Sequence, residues 1–309
     1  MEQFYEQRLL RKHLRRCFRP VSWPLIIYYV LMNLMVITAA LLTGTTDGEG
    51  WGYIIATMIG LLSLLTWTGP RFWADEIWAT GEPMKAGEFF GILCVFLGAQ
   101  SVYQTLTTSL ELFLNGYGFT MMEGLEAMAP DMSSFSMFLY AGIAAPIAEE
   151  IIFRGFILRT LRPYGKKFAI LGSAFTFGIF HGNLLQTPYA FLVGLVLGYV
   201  ALEYNIGWAM VLHMINNLVI ADMLNRLTMG LDPMVAGMIV TFVISLFAVG
   251  AIIVLIRKWK DIRSYASSEK ISSDYLHSFF VSGGMITLMA LMLINIVVSF
   301  FMIITPLYY

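Results

Sequence analysis

The chain has 309 residues, 58% of them apolar and only 13% charged, with a mean hydropathy of +0.74. Ordinary soluble domains carry about 25% charged residues, so this composition excludes a soluble core and calls for a bundle of membrane spans, each needing about 20 apolar residues. A net charge of −1 says nothing about partners, no nucleic-acid partner is expected, and two cysteines as far apart as Cys17 and Cys94 suggest neither a disulfide framework nor a metal knuckle.

Nine apolar segments follow in chain order: Trp23–Leu42, Trp51–Trp67, Phe89–Leu114, Met137–Leu158, Phe168–His181, Tyr189–Leu202, Trp208–Met223, Val235–Ile256 and Phe279–Ile304. The first lacks a cleavage signal and reads as a retained span. The fifth and sixth are short, as expected of tilted or protein-shielded helices. The expected fold class is therefore all-α, a polytopic transmembrane helix bundle of eight or nine spans.

Lysine and arginine set the expected orientation. The N-terminal tail carries Arg8, Arg11, Lys12, Arg15, Arg16 and Arg19. The loop after span two carries Arg71 and Lys85, the turn after span four Arg159, Arg162, Lys166 and Lys167, and the loop after span eight Arg257, Lys258, Lys260, Arg263 and Lys270. The alternate loops, Thr43–Gly50, Asn115–Ser136 and Gly182–Pro188, carry none, and Asn225–Pro233 carries only Arg226. The positive-inside rule then places the N-terminus and each basic loop in the cytoplasm and the C-terminus outside. Leu10, Leu14 and Phe18, four residues apart, mark the tail as an interfacial helix on the inner leaflet or else an unstructured basic anchor. Ser264–Lys270 is a polar loop rather than a domain boundary, and the halves show no internal repeat. One integral membrane domain over residues 1–309 is expected, with its catalytic core at 137–225. The first three spans show little functional polarity.

The polar residues at membrane depth fall between Glu149 and Asn217. Each ionised side chain there costs roughly 2.5–3.5 kcal/mol on insertion scales, so charges need partners and usually a task. Glu150 and Arg154 are four apart, acid first, and should pair on one helix face. Glu149, about 100° round the helix, has no obvious local partner. Pro146 cannot donate to the carbonyl of Gly142, and a kink there would open the helix beside the glutamates. His181 ends the fifth span. His213 lies in the seventh with Asn216 and, one turn on, Asn217. A lone membrane histidine is more often an interhelical hydrogen-bonding residue, and an isolated Glu–Arg pair more often structural glue. The set together, a spare carboxylate, two imidazoles and a carboxamide on three spans, could activate a water and stabilise an oxyanion. Glu149, His181 and His213 would equally serve as three zinc ligands with a fourth position open.

Ala145-Pro146-Ile147-Ala148-Glu149-Glu150-Ile151-Ile152-Phe153-Arg154-Gly155 resembles the Glu-Glu-x-x-x-Arg motif of the CPBP family, which includes CAAX prenyl endoproteases of the Ras-converting type and bacteriocin-processing or Abi proteins. Phe177–His181 is similar to its Phe-x-x-x-His motif, His213–Asn217 to its His-x-x-x-Asn motif, and Phe191–Gly198 to its glycine-containing span. The resemblance covers about Met137 to Asn225. It implies an intramembrane endopeptidase of a bacterial cell membrane acting on a membrane-associated peptide or protein. Glu149 and His181 would activate water, His213 and Asn217 would polarise the scissile carbonyl, and Glu150 and Arg154 would position helix and substrate. The family is described both as glutamic, with no cofactor, and as zinc-dependent; the unshared glutamate and Asn217 favour the former. Two other classes stay open. A non-catalytic immunity or scaffold protein would keep the Glu–Arg pair yet tolerate loss of the histidines. A coupled transporter would show repeated halves with broken helices, which this chain lacks.

Overall fold

The computed structural model describes residues 2–43, 50–128 and 132–307. It is an all-α bundle whose nine long helical segments we label α1 (Glu2–Thr43), α2 (Gly50–Thr68), α3 (Ala86–Asn115), α4 (Phe135–Tyr164), α5 (Lys166–Phe180), α6 (Gln186–Glu203), α7 (Ile206–Thr228), α8 (Pro233–Arg257) and α9 (Gly283–Ile303). Seven of them are long and apolar enough to cross a membrane by themselves, and α5 and α6 are the two that are not. At 15 residues, α5 is about 22 Å long, short of the roughly 30 Å hydrocarbon layer. It is shielded instead by protein. α6 packs along it, and a Cβ on Gly194 would come within 3.1 Å of Ala174 Cα while one on Gly198 would meet Ile170 at 3.3 Å. The Gly-x-x-x-Gly spacing thus allows the close approach that small residues permit between membrane helices.

Hydrogen bonds between the helix ends sort the described turns into two groups. In one, Arg159 reaches the carbonyls of Ala79 and Ala201, Gly81 N–H donates to Tyr204 O, Lys166 pairs with Glu203, Lys167 reaches Ala266 O and Arg11 pairs with Asp274. In the other, Phe119–Thr120 forms a two-residue antiparallel ladder with Thr305–Pro306, Arg226 donates to Met132 O and Ser299 to Gly182 O. The first group collects the lysine- and arginine-rich turns and the second the turns poor in them. This is the grouping that nine alternating helices require, since both short helices must then connect opposite ends. Most of the Thr43–Gly50 loop, Asp47 included, lies outside the described residues.

The N-terminal tail differs from its expected form. It is neither a separate interfacial helix nor unstructured, but the first half of α1, whose 42 residues extend about 63 Å, beyond a whole bilayer of about 40–45 Å. Leu14 and Phe18 are buried, and Phe18 packs edge-on against Tyr164 and Phe279. Leu14 and Phe18 of the stripe therefore serve the protein's own core, while Leu10 stays exposed. Arg11 holds Asp274 at 2.7 Å and Arg15 lies 3.2 Å from His277, tying the tail to the short amphipathic helix Ser273–Phe280. That helix also corrects the ninth segment, because Phe279 belongs to it and the span begins at Gly283.

Candidate active site

The site is built on α4, and α4 is not a uniform helix. Its α-helical stretch Ala145–Glu150 lies between π-helical stretches Tyr140–Ala144 and Ile151–Ile157; on α7, Asn216–Met223 is π-helical as well. Such wide turns are rare and concentrate at functional sites. Pro146 supplies one local cause. Ala145 N–H donates to Tyr140 O, and Pro146 has no N–H to give. The Ala141 carbonyl therefore lacks its donors from the next turn, and Asn217 Nδ2 supplies one at 2.8 Å. The proline thus acts through Ala141 as well as through Gly142.

Glu150 and Arg154 pair as their spacing predicts, at 2.8 Å and with both side chains fully buried. Arg154 also reaches Gly194 O at 3.4 Å and lies 4.2 Å from the centroid of the Phe177 ring, in cation–π range. Glu150 does more than neutralise the arginine. Its Oε1 lies 2.9 Å from His213 Nδ1, which places the ring hydrogen on Nδ1. The other ring nitrogen, Nε2, is then 3.7 Å from Glu149 Oε2. Glu149 is the one acid of the pair that keeps access, with its side chain 33% exposed against 0% for Glu150. A chain of charge runs Arg154–Glu150–His213–Glu149, with the first two members fixed by burial and the last open.

His181 caps α5 and anchors its Nδ1 on Phe177 O at 2.8 Å. Its ring meets Phe177 edge-on at 4.8 Å, and the same Phe177 meets His213 at 5.8 Å. His181 also lies within electrostatic reach of Glu149, His213 and Arg154. The phenylalanine of the second motif therefore touches both histidines and the arginine. Asn217 sits farther along α7 and is held from both sides, donating to Ala141 O and accepting from Asn216 Nδ2 at 3.1 Å.

Several contacts around the site lie outside the sequence reading. Asn216, which the sequence marks only as a neighbour of Asn217, is a hub whose Oδ1 accepts from Gln100 Nε2 at 3.1 Å and from Tyr189 OH at 3.0 Å. Neither Gln100 nor Tyr189 stands out in the sequence. Tyr28 and Tyr140 lie within electrostatic reach of Glu149. Tyr28 is on α1 and Gln100 on α3, so two of the first three spans do reach the site. An isolated Gln or Tyr in an apolar run is too common to single out, and only the fold shows what these face. Among the described residues no three His, Cys, Asp or Glu side chains are grouped to hold a metal ion, so the Glu149, His181 and His213 set is not assembled as zinc ligands in this arrangement.

A buried Glu–Arg pair supporting a histidine and an accessible carboxylate, all on membrane-spanning helices, defines the class: an integral membrane protein with a polar, ionisable cluster inside its helix bundle. Residues 131–219 match the family model described as type II CAAX prenyl endopeptidase, Rce1-like. The chain thus carries an Rce1-like domain over that stretch, consistent with the CPBP family of intramembrane proteases that the three motifs resemble. No curated protein and no solved structure matches the chain.

Proposed function

We propose that the protein is an intramembrane endopeptidase that cleaves a membrane-associated peptide or protein, with Glu149 as the general base. One observation carries this reading: within the Rce1-like stretch, Glu149 stays accessible beside His213 while Glu150 and Arg154, directly behind, are wholly buried. A merely structural cluster would bury all its members.

In the reaction, Glu149 and His181 hold a water and Glu149 takes its proton as the oxygen attacks the scissile carbonyl. The proton passes to the leaving amine as the peptide bond breaks. His213, with Nδ1 fixed by Glu150, offers Nε2 to the reacting centre. Asn217 Nδ2 carries two hydrogens, of which Ala141 O engages one, and the second is available to the developing oxyanion. Glu150 and Arg154 act as positioning residues. The mechanism is glutamic; a zinc-dependent version would have to regroup Glu149, His181 and His213.

We further propose that the N-terminus and the basic turns face the cytoplasm. Single cysteines replacing His13 or Lys260 in a cysteine-free background should then resist an impermeant thiol reagent added outside, and one replacing Glu126 should react. Labelling at position 260 from outside overturns this orientation. For the activity, the test compares membrane peptides in cells expressing wild-type and Glu149→Gln protein. Substrates should accumulate uncleaved in the variant, and identical peptide profiles would contradict the proposal. Purified enzyme treated with a strong chelator should keep its activity; loss restored by zinc would favour the metal-dependent version.

A further inference from the structure

At the basic end of the bundle a cleft of about 1070 Å³ opens between the middle of α1 at Pro20, the ends of α2 and α4, and the helix Ser273–Phe280. Arg159, Arg162 and Lys270 line it together with Trp67, Phe72 and Tyr164. Ten residues separate Arg159 from Glu149, about 15 Å along α4, so this is not the acid–histidine site.

Arg159 is the informative residue. It is 8% exposed, yet it forms no ion pair among the described residues. Its Nη2 donates to the Ala79 and Ala201 carbonyls, while its buried Nε has no partner. Glu76 attracts this guanidinium only from beyond ion-pair range, so Arg159, with two carbonyl acceptors, has no counter-ion in contact, and buried charges call for one. The carboxylates nearby do not supply one. Glu76 lines the cleft but lies outside ion-pair range of Arg159, and Glu269 is turned to the first turn of α5, where Lys167 N–H donates to it at 3.4 Å. Lys166 is already neutralised by Glu203. Three cations, Arg159, Arg162 and Lys270, thus line one cleft with no ion pair among the described residues.

The depth of the cleft narrows the choice of anion. It lies where α4 leaves the apolar region, the level at which headgroups sit, and Trp67, 51% exposed there, is the residue type that anchors at that level. Its walls combine aromatic rings with a fork of guanidinium donors, which suits a phosphate ester linked to a chain.

We propose that this cleft seats the phosphate headgroup of an anionic phospholipid from the adjoining leaflet, with Arg159 as the anchoring cation. The lipid supplies a counter-charge in contact with Arg159, where Glu76 acts only from a distance, and braces the end of the helix that carries Glu149.

The test uses the full-length protein in a non-ionic detergent, titrated separately with dioctanoyl phosphatidylglycerol, dioctanoyl phosphatidylcholine and inorganic phosphate, with thermal unfolding and intact-complex mass spectrometry as readouts. Phosphatidylglycerol should raise the melting temperature saturably and remain bound, and the other two should do neither. Arg159→Gln also strips hydrogen bonds from Ala79 and Ala201 and can fail to fold, so the deciding variant is Arg162→Gln/Lys270→Gln, both changes at exposed positions. At about fivefold per cation removed from a lipid surface, the double variant should bind phosphatidylglycerol roughly 25-fold more weakly. An equal response to phosphatidylcholine, an equal response to inorganic phosphate, or unchanged binding by the double variant would each overturn the proposal.

Discussion

α4 and α8 both cross the bundle, but they solve opposite problems. α8 runs 25 residues from Pro233 to Arg257 with no charge before its last residue, and within it only Ile244 and Ala251 are buried. One face packs on α3, where Gly98 meets Ala251 and Gly250 meets Cys94, and the rest of its apolar surface is left for lipid. α4 carries Glu149, Glu150 and Arg154 at the same depth, and each residue from Glu150 to Arg159 is buried. In a membrane, burial inside protein marks the polar helix, because lipid already satisfies the apolar one. A helix that needs its neighbours to tolerate its own charges is where to look for chemistry.

That contrast can be broken by substitution. Glu150→Gln should have the largest effect, leaving Arg154 buried without its counter-charge and removing the acceptor that fixes His213. Breaking a buried pair in this way costs about 3–5 kcal/mol, so yield and thermal stability should fall along with activity. A substitution on the lipid face of α8, such as Leu246→Val, should change stability by no more than about 0.5 kcal/mol. If the two variants were equally stable, the contrast between the helices would be empty.

Asn217→Ala should lower turnover by about 10²–10³-fold, the usual effect of losing an oxyanion donor, and orphan the Ala141 carbonyl. Asn216→Ala keeps that carbonyl satisfied but releases Gln100 and Tyr189, so its smaller loss should be read from kcat rather than from stability. A drop in stability for Asn216→Ala equal to that for Glu150→Gln would make the hub structural. Gly194→Ala brings a methyl against Ala174 and should cost about 1–3 kcal/mol of overpacking, measured as a lower melting temperature. The smallest effect belongs to the tail. The Arg11 guanidinium beside Asp274 holds that carboxyl below its usual value. The pair therefore contributes stability above the ordinary carboxylate range and loses it as pH falls through the depressed value. Partly exposed, it contributes at most about 1 kcal/mol. The difference in melting temperature between wild type and Asp274→Asn should be present at pH 7 and vanish in acid.

Much of this was legible in the sequence. Apolar runs located the nine helices, and all but the first came within about six residues of their ends, because lipid imposes composition directly on any span. Spacing also gave Glu150–Arg154, a local pair. What spacing could not give was contact between helices distant in sequence. Glu150 meets His213 63 residues away, and Gln100 meets Asn216 across 116; no periodicity encodes either. The tail was misread for a related reason. Leu14 and Phe18 form a stripe that fits a membrane surface or a protein core equally well, and the aromatic residues Tyr164 and Phe279 decided the matter from far along the chain.

The central claim is a division of labour between two adjacent acids, Glu149 reacting and Glu150 supporting. The most direct measurement places Glu149→Gln and Glu150→Gln side by side, with melting temperature and peptide cleavage determined on the same preparations. The account predicts that Glu149→Gln melts as the wild type does while its cleavage falls by about 10²–10⁴-fold, the range for loss of a positioned base, and that Glu150→Gln loses both. Normal cleavage by Glu149→Gln, or a loss of stability matching that of Glu150→Gln, would contradict it.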